Sequence, residues 1–185
     1  TLKKEGNRQI GYNRLQEFSS HAAEQMQRAI RKLNASNVDG FVLDLRGNPG
    51  GLLNASIEIA RMWLDKGAIV RTEDRKGGSE LTKANSTALT NRPLIVLVDG
   101  NSASASEILT GALKDNKRAT VIGSKTFGKA LVQSVHELVD GSGVAITIAH
   151  YYTPQGTDIN KKGITPDIEW DLTASQQRRL ATDPR

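Results

Sequence analysis

Residues 94–109 have the sequence LIVLVDGNSASASEIL, and this stretch decides the fold. Its first five residues are apolar without interruption, which is typical of a strand that is buried on both faces of a sheet. Small residues then lead into a helical pattern that carries Ile108, Leu109, Ala112 and Leu113. A buried strand that leads directly into a helix is the repeating unit of α/β folds.

The same alternation extends on both sides of this stretch. Apolar patterning predicts further strands at residues 10–15, 41–45, 68–70 and 120–122. Helical spacing of apolar residues predicts helices at about 23–33 and 53–64. The fold class is therefore expected to be α/β, with a mostly parallel sheet flanked by helices.

Two other regions differ from this pattern. Residues 131–138 and 144–151 are β-like and flank Asp140-Gly141-Ser142-Gly143, a combination that predicts a hairpin. Residues 72–92 are polar and rich in turn formers, so we expect them to cross the surface. The last residues, 173–185, are predicted to be a polar C-terminal tail.

Composition excludes several classes of protein. The chain has 185 residues, of which 37% are hydrophobic and 24% charged, as expected for one globular domain. It has no apolar run of 18 residues, which excludes a predicted membrane span. It has no N-terminal apolar core of a signal peptide, so any such peptide is expected outside this chain. The absence of cysteine rules out disulfides, thiolate metal sites and a cysteine nucleophile.

The charge pattern argues against nucleic acid as a partner. The formal net charge is +5, but basic and acidic residues are interleaved, as in residues 73–76. Aromatic residues make up only 4% of the chain. A nucleic-acid surface normally combines a clustered basic face with aromatic side chains on which bases stack.

Three segments contain candidate catalytic or binding residues. Each follows a predicted strand, where α/β sheets place their ligand sites. The first is residues 46–51, in which Gly50 and Gly51 free backbone amides to face an anion or an oxyanion. A plain turn from strand to helix explains the same glycines equally well.

The second segment, residues 100–107, places three serines at a helix entrance. A serine there can expose its Oγ beside the amides of the first helical turn, as a nucleophile requires. Helix capping is the alternative, with Ser104 and Glu107 forming a capping box. The segment alone does not choose between Ser102, Ser104 and Ser106.

The third segment, Gly123–Ala130, fits the phosphate-loop pattern up to its last position. There Ala130 replaces the hydroxyl residue that binds magnesium, and the following residues are β-like where a phosphate loop needs a helix. Nucleotide binding is therefore disfavoured. Lys129 could instead act as a general base if Phe127 and apolar strands desolvate its ammonium group. An ordinary solvated surface lysine is the alternative.

Other catalytic chemistries find no support. The three histidines, His21, His136 and His150, have no metal-ligand spacing, and nothing places one of them in a Ser–His–Asp triad. Paired carboxylates for glycoside chemistry are equally unsupported. We expect no metal and no organic cofactor.

Together these segments resemble the carboxyl-terminal processing, or tail-specific, proteases. The resemblance spans about residues 8–172 and keeps the family's order. It is carried by DLRGNPGGL at 44–52, SASASEI at 102–108, TFGKALVQ at 126–133, YYTP at 151–154 and GITPD at 163–167. It implies a protease core related to the ClpP and crotonase folds, extending over residues 1–172.

The resemblance also implies roles for individual residues. Ser104 would be the nucleophile of a Ser–Lys dyad, Lys129 its general base, and Gln133 the residue that orients Lys129. The amide of Ala105 and one from the glycine turn, with Gly51 favoured over Gly50, would form the oxyanion hole. Arg46, Glu107 and Asp115 fall at positions that look supportive. The family usually has glycine where this chain has Ala130, which would be strained if that position required a positive φ.

The implied function is a serine endopeptidase that cleaves near the C-terminus of protein substrates by acyl transfer. Its partners would be protein or peptide C-terminal tails, and a PDZ domain, absent from this chain, is expected in the full-length protein. The alternative is a catalytically silent core that binds tails but does not cut without its PDZ domain. Residues 157–160, TDIN, resemble the branch that processes a photosystem II reaction-centre precursor. The family implies an extracytoplasmic location, in the periplasm or the thylakoid lumen.

Overall fold

The computed structural model describes residues 1–182, apart from the side chains of residues 134, 135, 180 and 181. Strands and helices alternate through the first two thirds of the chain. In order, the elements are β1 (Leu2–Glu5), β2 (Arg8–Arg14), α1 (Ala22–Ala35), β3 (Gly40–Asp44), α2 (Leu53–Trp63), β4 (Ala68–Asp74), β5 (Ser79–Lys83), β6 (Leu94–Val98), α3 (Ala105–Asp115), β7 (Thr120–Gly123), β8 (Leu131–Glu137), β9 (Gly143–Tyr152), β10 (Ile168–Glu169) and α4 (Ala174–Thr182).

The main sheet has six strands in the order β1-β2-β3-β6-β7-β10. All its pairings are parallel except that of β1 with β2. The apolar strand β6 lies inside this sheet between β3 and β7, as its uninterrupted hydrophobic sequence predicts. The expected α/β fold with a mostly parallel sheet is confirmed.

Helices α1, α2 and α3 pack side by side and bury their apolar residues against the main sheet. In α1, for example, Met26, Ile30 and Leu33 recur at helical spacing and are all buried. The ring of Trp63 at the end of α2 meets Phe41 of β3 edge to face, with centroids 5.2 Å apart. The packing of this layer positions the first residues of α2 and α3, Leu53 and Ala105, and both residues are part of the candidate site.

A second sheet is antiparallel and has the order β5-β4-β9-β8. The predicted hairpin is confirmed as β8 and β9. The prediction for residues 72–92 is wrong in part, because β4 extends to Asp74 and β5 pairs with it. Strand β5 is an exposed edge whose residues are mostly polar, so it carries no apolar alternation by which a sequence would indicate a strand.

The C-terminal part returns to the main sheet. Strand β10 pairs in parallel with β7 and is followed by α4, which begins within the predicted polar tail. Residues 183–185 of that tail lie outside the described part of the chain. No helix within residues 1–182 combines the length and the apolar character needed to cross a membrane.

Candidate active site

Two strand-end turns of the main sheet are tied together. Because β3 and β6 are parallel neighbours, the turn 46–51 and the serine segment (residues 102–107) emerge at the same edge. Asn48 joins them, since its carbonyl accepts hydrogen bonds from the Ala103 N–H at 3.0 Å and the Ser106 Oγ at 2.9 Å. The Ser102 Oγ donates to the Leu45 carbonyl at 2.8 Å.

These contacts distinguish the three serines. Ser102 and Ser106 are fully buried, and their hydroxyls are engaged by the neighbouring strand and turn. Ser104 is partly exposed and lines a cleft. Of the three, it is the serine that a substrate can reach.

Ser104 has an unusual backbone conformation, with φ 55° and ψ −114°. A non-glycine residue with a positive φ typically costs about 1–3 kcal/mol and persists only where its surroundings impose it. Ser104 follows the turn after β6 and immediately precedes α3, which is the arrangement of a nucleophile elbow. The N–H of the next residue, Ala105, is the first of the helix and has no acceptor among the described residues.

The buried carboxylate of Glu107 links this elbow to the lysine segment (residues 126–130). One oxygen accepts from the N–H groups of Ser104 and Lys129, both at 2.9 Å. The other accepts from the Gly128 N–H and the Thr126 Oγ1, both at 2.6 Å. The capping bond to Ser104 was expected, but the three bonds to the lysine segment were not.

A second buried side chain contacts the same two residues. The hydroxyl of Tyr151, on β9, donates to the Ser104 carbonyl at 3.0 Å and also to the Lys129 carbonyl. Burial raises the pKa of Tyr151 far above its usual range, and the Glu107 carboxylate raises it further. The phenol is therefore protonated and acts as a donor. The YYTP motif marked this tyrosine, but sequence reasoning assigned it no role.

The structure links the backbone of Lys129 to that of Ser104, but the Lys129 ammonium group makes no hydrogen bond to Ser104. Lys129 is exposed, and within the described residues no hydrogen bond or ion pair uses its Nζ. Phe127, which was expected to shield the ammonium group, is itself 64% exposed. An apolar enclosure of the lysine is therefore not formed by these residues.

Gln133 lies on β8 and lines the same cleft as Ser104. No hydrogen bond joins it to Lys129 in the part of the chain that is described. Lys129 precedes β8, which begins at Leu131, so the alternation of side chains along a strand does not place these two residues on one face.

The predicted strain at Ala130 is absent. Ala130 is fully buried and is not among the residues with a positive φ. An alanine therefore fits this position, although the family usually has glycine there. Strand β8 follows, as the sequence predicted, so the segment lacks the helix that a phosphate loop requires.

The glycine turn supplies one free amide rather than two. The Gly50 N–H donates to the Asn48 Oδ1 at 2.9 Å, so it is already used within the turn. The amides of Gly51 and Ala105 have no hydrogen-bond acceptor among the described groups. The structure thus leaves Ala105 and Gly51 as the available pair of donors.

The turn lies close to Ser104. A Cβ atom added to Gly50 would stand 2.8 Å from the Ser104 Cβ and 3.0 Å from the Ala105 nitrogen, so only glycine fits. A parallel bridge between Phe18 and Gly51 fixes the far side of the turn. The Phe18 N–H donates to the Gly50 carbonyl, and the Leu52 N–H donates to the Phe18 carbonyl.

Beneath the turn, Asp44 forms a buried ion pair with Arg46. Arg46 donates to the carboxylate at 2.8 and 2.6 Å, and the Tyr12 hydroxyl donates at 2.5 Å. Burial acts to raise the pKa of Asp44, but the hydrogen bonds from Arg46 and Tyr12 outweigh it and leave this pKa below its ordinary value. Burial and the bond to Asp44 raise the pKa of Tyr12 to about 12.

The other supportive residue, Asp115, ends α3. Its carboxylate accepts from the Gln155 N–H at 3.0 Å and so ties α3 to the loop after β9. Arg46, Glu107 and Asp115 are thus each hydrogen-bonded to other parts of the framework.

A cleft of about 170 Å³ brings together Ser104, Ala105, Gly51 and Gln133. Its other lining residues are mainly apolar: Leu52, Leu53, Ile108, Leu131, Val132 and Tyr151. Lys129 does not line it. A larger cavity of about 490 Å³, beside Arg46 and Trp170, contains none of the predicted site residues.

A serine–histidine–aspartate triad is not formed. His150 bonds Asp158 at 3.0 Å, which makes it the one histidine with a carboxylate partner among the described residues. It precedes Tyr151 on β9, and successive side chains of a strand point to opposite faces. Since Tyr151 points to Ser104, His150 points away from it.

Comparison with known proteins matches this chain to peptidases. The model of peptidase family S41 matches residues 9–170. The carboxyl-terminal-processing protease of Synechocystis sp. is 55% identical over 85% of this chain and 37% of its own length. The chloroplastic carboxyl-terminal-processing peptidase 2 of Arabidopsis thaliana is 52% identical over 85% of this chain and 31% of its own length.

Among solved structures, the photosystem II D1 C-terminal processing protease superposes with a TM-score of 0.82. It is 47% identical, and the match covers 88% of this chain and 42% of that protein. The chain therefore spans between about one third and two fifths of the length of these relatives.

Proposed function

The chain belongs to peptidase family S41, and from this we propose that it is the core of a serine endopeptidase that cleaves protein substrates near their C-terminus. Its relatives are C-terminal processing peptidases. The observation that carries the proposal is the elbow at Ser104, the one accessible serine of its segment, beside the two free amides of Ala105 and Gly51. This is the arrangement that acyl transfer needs.

In the proposed reaction, the neutral Nζ of Lys129 accepts the proton of the Ser104 hydroxyl. The Ser104 Oγ bonds to the scissile carbonyl carbon, and the carbonyl oxygen becomes an oxyanion. When the C–N bond breaks, Lys129 returns the proton to the leaving amine, and an ester on Ser104 remains. Water, deprotonated by Lys129, then hydrolyses this ester and regenerates the serine.

The amides of Ala105 and Gly51 would hold the oxyanion. Each donor of this kind typically lowers the barrier by about 3 kcal/mol. Gly50 is not proposed for this role because its N–H is held by Asn48. The structural role of Gly50 is instead its close packing against Ser104.

Lys129 reaches Ser104 in this proposal by movement of its side chain alone. Its backbone is already linked to that of Ser104 through Glu107 and Tyr151, and its four-carbon stem is exposed and free of other partners within residues 1–182. Gln133, which lines the cleft beside Ser104, would orient the Lys129 side chain.

The substrate would be the flexible tail of a protein. The cleft beside Ser104 is small and mainly apolar, which suits an apolar side chain next to the scissile bond. By analogy with the relative that processes photosystem II D1, we propose the C-terminal extension of a photosystem II reaction-centre subunit as the substrate. A PDZ domain elsewhere in the full-length protein would capture the free C-terminus by strand addition.

The proposed compartment is the thylakoid lumen or the periplasm. The support is the chloroplastic location in the names of plant relatives. Fractionation of cells that carry the tagged full-length protein would test it, and recovery in the cytosolic fraction would contradict it.

A second candidate function follows from the position of Lys129. Its Nζ makes no hydrogen bond to Ser104, which favours as the alternative a silent core that binds tails but does not cut them. Both functions predict binding of a peptide tail, and only the first predicts a new terminus.

The deciding experiment incubates the chain with a peptide that has a flexible apolar C-terminus and follows cleavage by mass spectrometry. Ser104→Ala and Lys129→Ala are run beside the unchanged chain over a series of pH values. Cleavage by the unchanged chain alone supports the Ser–Lys dyad. Binding without cleavage favours the silent core, and cleavage by Ser104→Ala contradicts the assignment of the nucleophile.

A further inference from the structure

Tyr151 occupies a decisive place between the two proposed catalytic residues. It is the penultimate residue of β9 and its side chain is only 2% exposed. Its own backbone is fixed to the lysine segment, because its N–H donates to the Ala130 carbonyl at 3.0 Å. The phenol therefore extends from a strand that is anchored beside Lys129.

The phenol has one proton and contacts two carbonyl groups. These two carbonyls differ in whether they have other hydrogen-bond donors. The Ser104 carbonyl also accepts from the N–H groups of Glu107 at 2.8 Å and Ile108 at 3.0 Å. The Lys129 carbonyl has no other donor in the described part of the chain. Loss of the phenol hydroxyl would thus release mainly Lys129.

The hydroxyl is a donor at any pH at which the protein works. Burial and the nearby carboxylate of Glu107 raise the pKa of Tyr151 far above its usual range. A protonated phenol can satisfy a carbonyl, whereas a phenolate would repel it.

Glu107 and Tyr151 hold Lys129 from its two sides. Glu107 accepts from its N–H and Tyr151 donates to its carbonyl, although Lys129 itself lies outside every strand and helix. Both side chains also hold Ser104, one at each end of the residue. On the basis of the function proposed above, we propose that Tyr151 is a positioning residue, which sets the Lys129 backbone at a fixed distance from Ser104 so that the lysine side chain can reach the serine.

The neighbouring tyrosine provides a matched control. Tyr152 lies on the opposite face of β9, where its ring stacks on His150 with centroids 4.9 Å apart. Its hydroxyl makes no hydrogen bond to any described residue. Tyr152→Phe therefore removes the same atom as Tyr151→Phe without touching Ser104 or Lys129.

The test compares the unchanged chain with Tyr151→Phe and Tyr152→Phe. Peptide cleavage gives kcat and KM, and hydrogen–deuterium exchange gives the protection of residues 126–130 and of β3. For Tyr151→Phe we expect kcat to fall about tenfold or more while KM stays within about twofold, because misplacing a reacting group impairs the chemical step. Exchange of the lysine segment should be faster in this variant alone, with β3 unchanged.

Each outcome has a distinct meaning. If Tyr151→Phe equals Tyr152→Phe in kcat, the positioning role is wrong. Faster exchange throughout the chain, β3 included, would mean that the tyrosine only stabilises the fold, and this too overturns the role. If the unchanged chain neither cleaves the peptide nor reacts at Ser104 with a serine-directed fluorophosphonate, the proposed function fails, and the positioning role fails with it.

Discussion

The serine segment and the lysine segment differ in how completely they are formed. In the serine segment, the strained backbone, the accessible hydroxyl and two free amides are already in place around Ser104. In the lysine segment the backbone is held, but the functional end of Lys129 is exposed and has no partner among residues 1–182. One half of the proposed site is therefore preformed, and the other is preformed only in its backbone.

The difference follows from the elements that carry each segment. Ser104 lies between a central strand and a buried helix, and parallel sheets place such turns in a rigid layer. Lys129 precedes β8, which is the edge of the smaller antiparallel sheet. An edge strand has neighbours on one side only, so side chains near it have fewer groups to fix them.

Removal of the proposed nucleophile should have the largest effect. Ser104→Ala is expected to lower kcat for peptide cleavage by about 10⁴-fold or more, as for other serine nucleophiles. The fold should be retained, because alanine replaces an Oγ that faces the cleft. Cleavage by mass spectrometry and thermal unfolding measure the two effects.

Ser104→Gly sharpens the same comparison. It removes the nucleophile and also the strain of a positive φ, so it should unfold at a higher temperature than Ser104→Ala, with a gain of about 1 kcal/mol. If the two variants are equally stable, the backbone at Ser104 stores no strain, and the contrast with the lysine segment weakens.

Weakening the link that Glu107 makes between the two segments should have the next largest effect. In the native chain each carboxylate oxygen of Glu107 accepts two hydrogen bonds from N–H or O–H donors. In Glu107→Gln the NH₂ group replaces one of these oxygens in either orientation of the amide, so a donor then faces two donors. We expect a loss of about 3 kcal/mol in the free energy of unfolding. Urea unfolding measures it.

Glu24 supplies the control for this change. It is an exposed residue of α1, paired with Arg28 at 3.7 Å, and Glu24→Gln should cost less than about 0.5 kcal/mol. Equal losses for the two variants would show that Glu107 does not hold the segments together.

The ion pair beneath the glycine turn supports only the serine side, and its contribution should depend on pH. The pKa of Asp44 is lowered in the folded state, so its stabilisation is present above the ordinary value of 3.8 and is lost as pH falls through the lower folded value. Asp44→Asn should cost about 2 kcal/mol at neutral pH. The difference between variant and unchanged chain should shrink in acid, and a difference that is constant with pH would contradict the ion pair.

Sequence patterns predicted the parts of the molecule that are decided locally. The apolar run of β6, the helical spacing in α1 and the hairpin signal before β9 each depend on neighbouring residues, and all three were correct. Strand β5 was missed because an exposed edge needs no apolar face. The resemblance to a protease family ordered the site residues along the chain, but it did not predict which backbone amides are free.

The remaining features depend on contacts between distant parts of the chain. Gly50 and Gly51 are adjacent glycines of one turn, and the bond from Gly50 to Asn48 shows which of their amides is already used. Glu107 was expected as a helix cap, while its other donors come from a segment about twenty residues away. The direction of Tyr151 is set by the pairing of β9 with β4 and by the bond from its N–H to Ala130, which no local pattern of its motif predicts.

The smallest expected effect concerns the position where this chain departs from its family. Ala130→Gly restores the usual residue, but Ala130 has no positive φ and its methyl group is fully buried. Glycine would therefore remove buried surface and add freedom to the unfolded chain, and stability should fall by about 1 kcal/mol. Cleavage should change by less than about twofold, because Glu107 and Tyr151, and not residue 130, fix the backbone of Lys129. Thermal unfolding and kcat measure the two effects. A glycine variant that is more stable or much more active would contradict this expectation. It would mean that the alanine strains the lysine segment and so keeps Lys129 from bonding to Ser104.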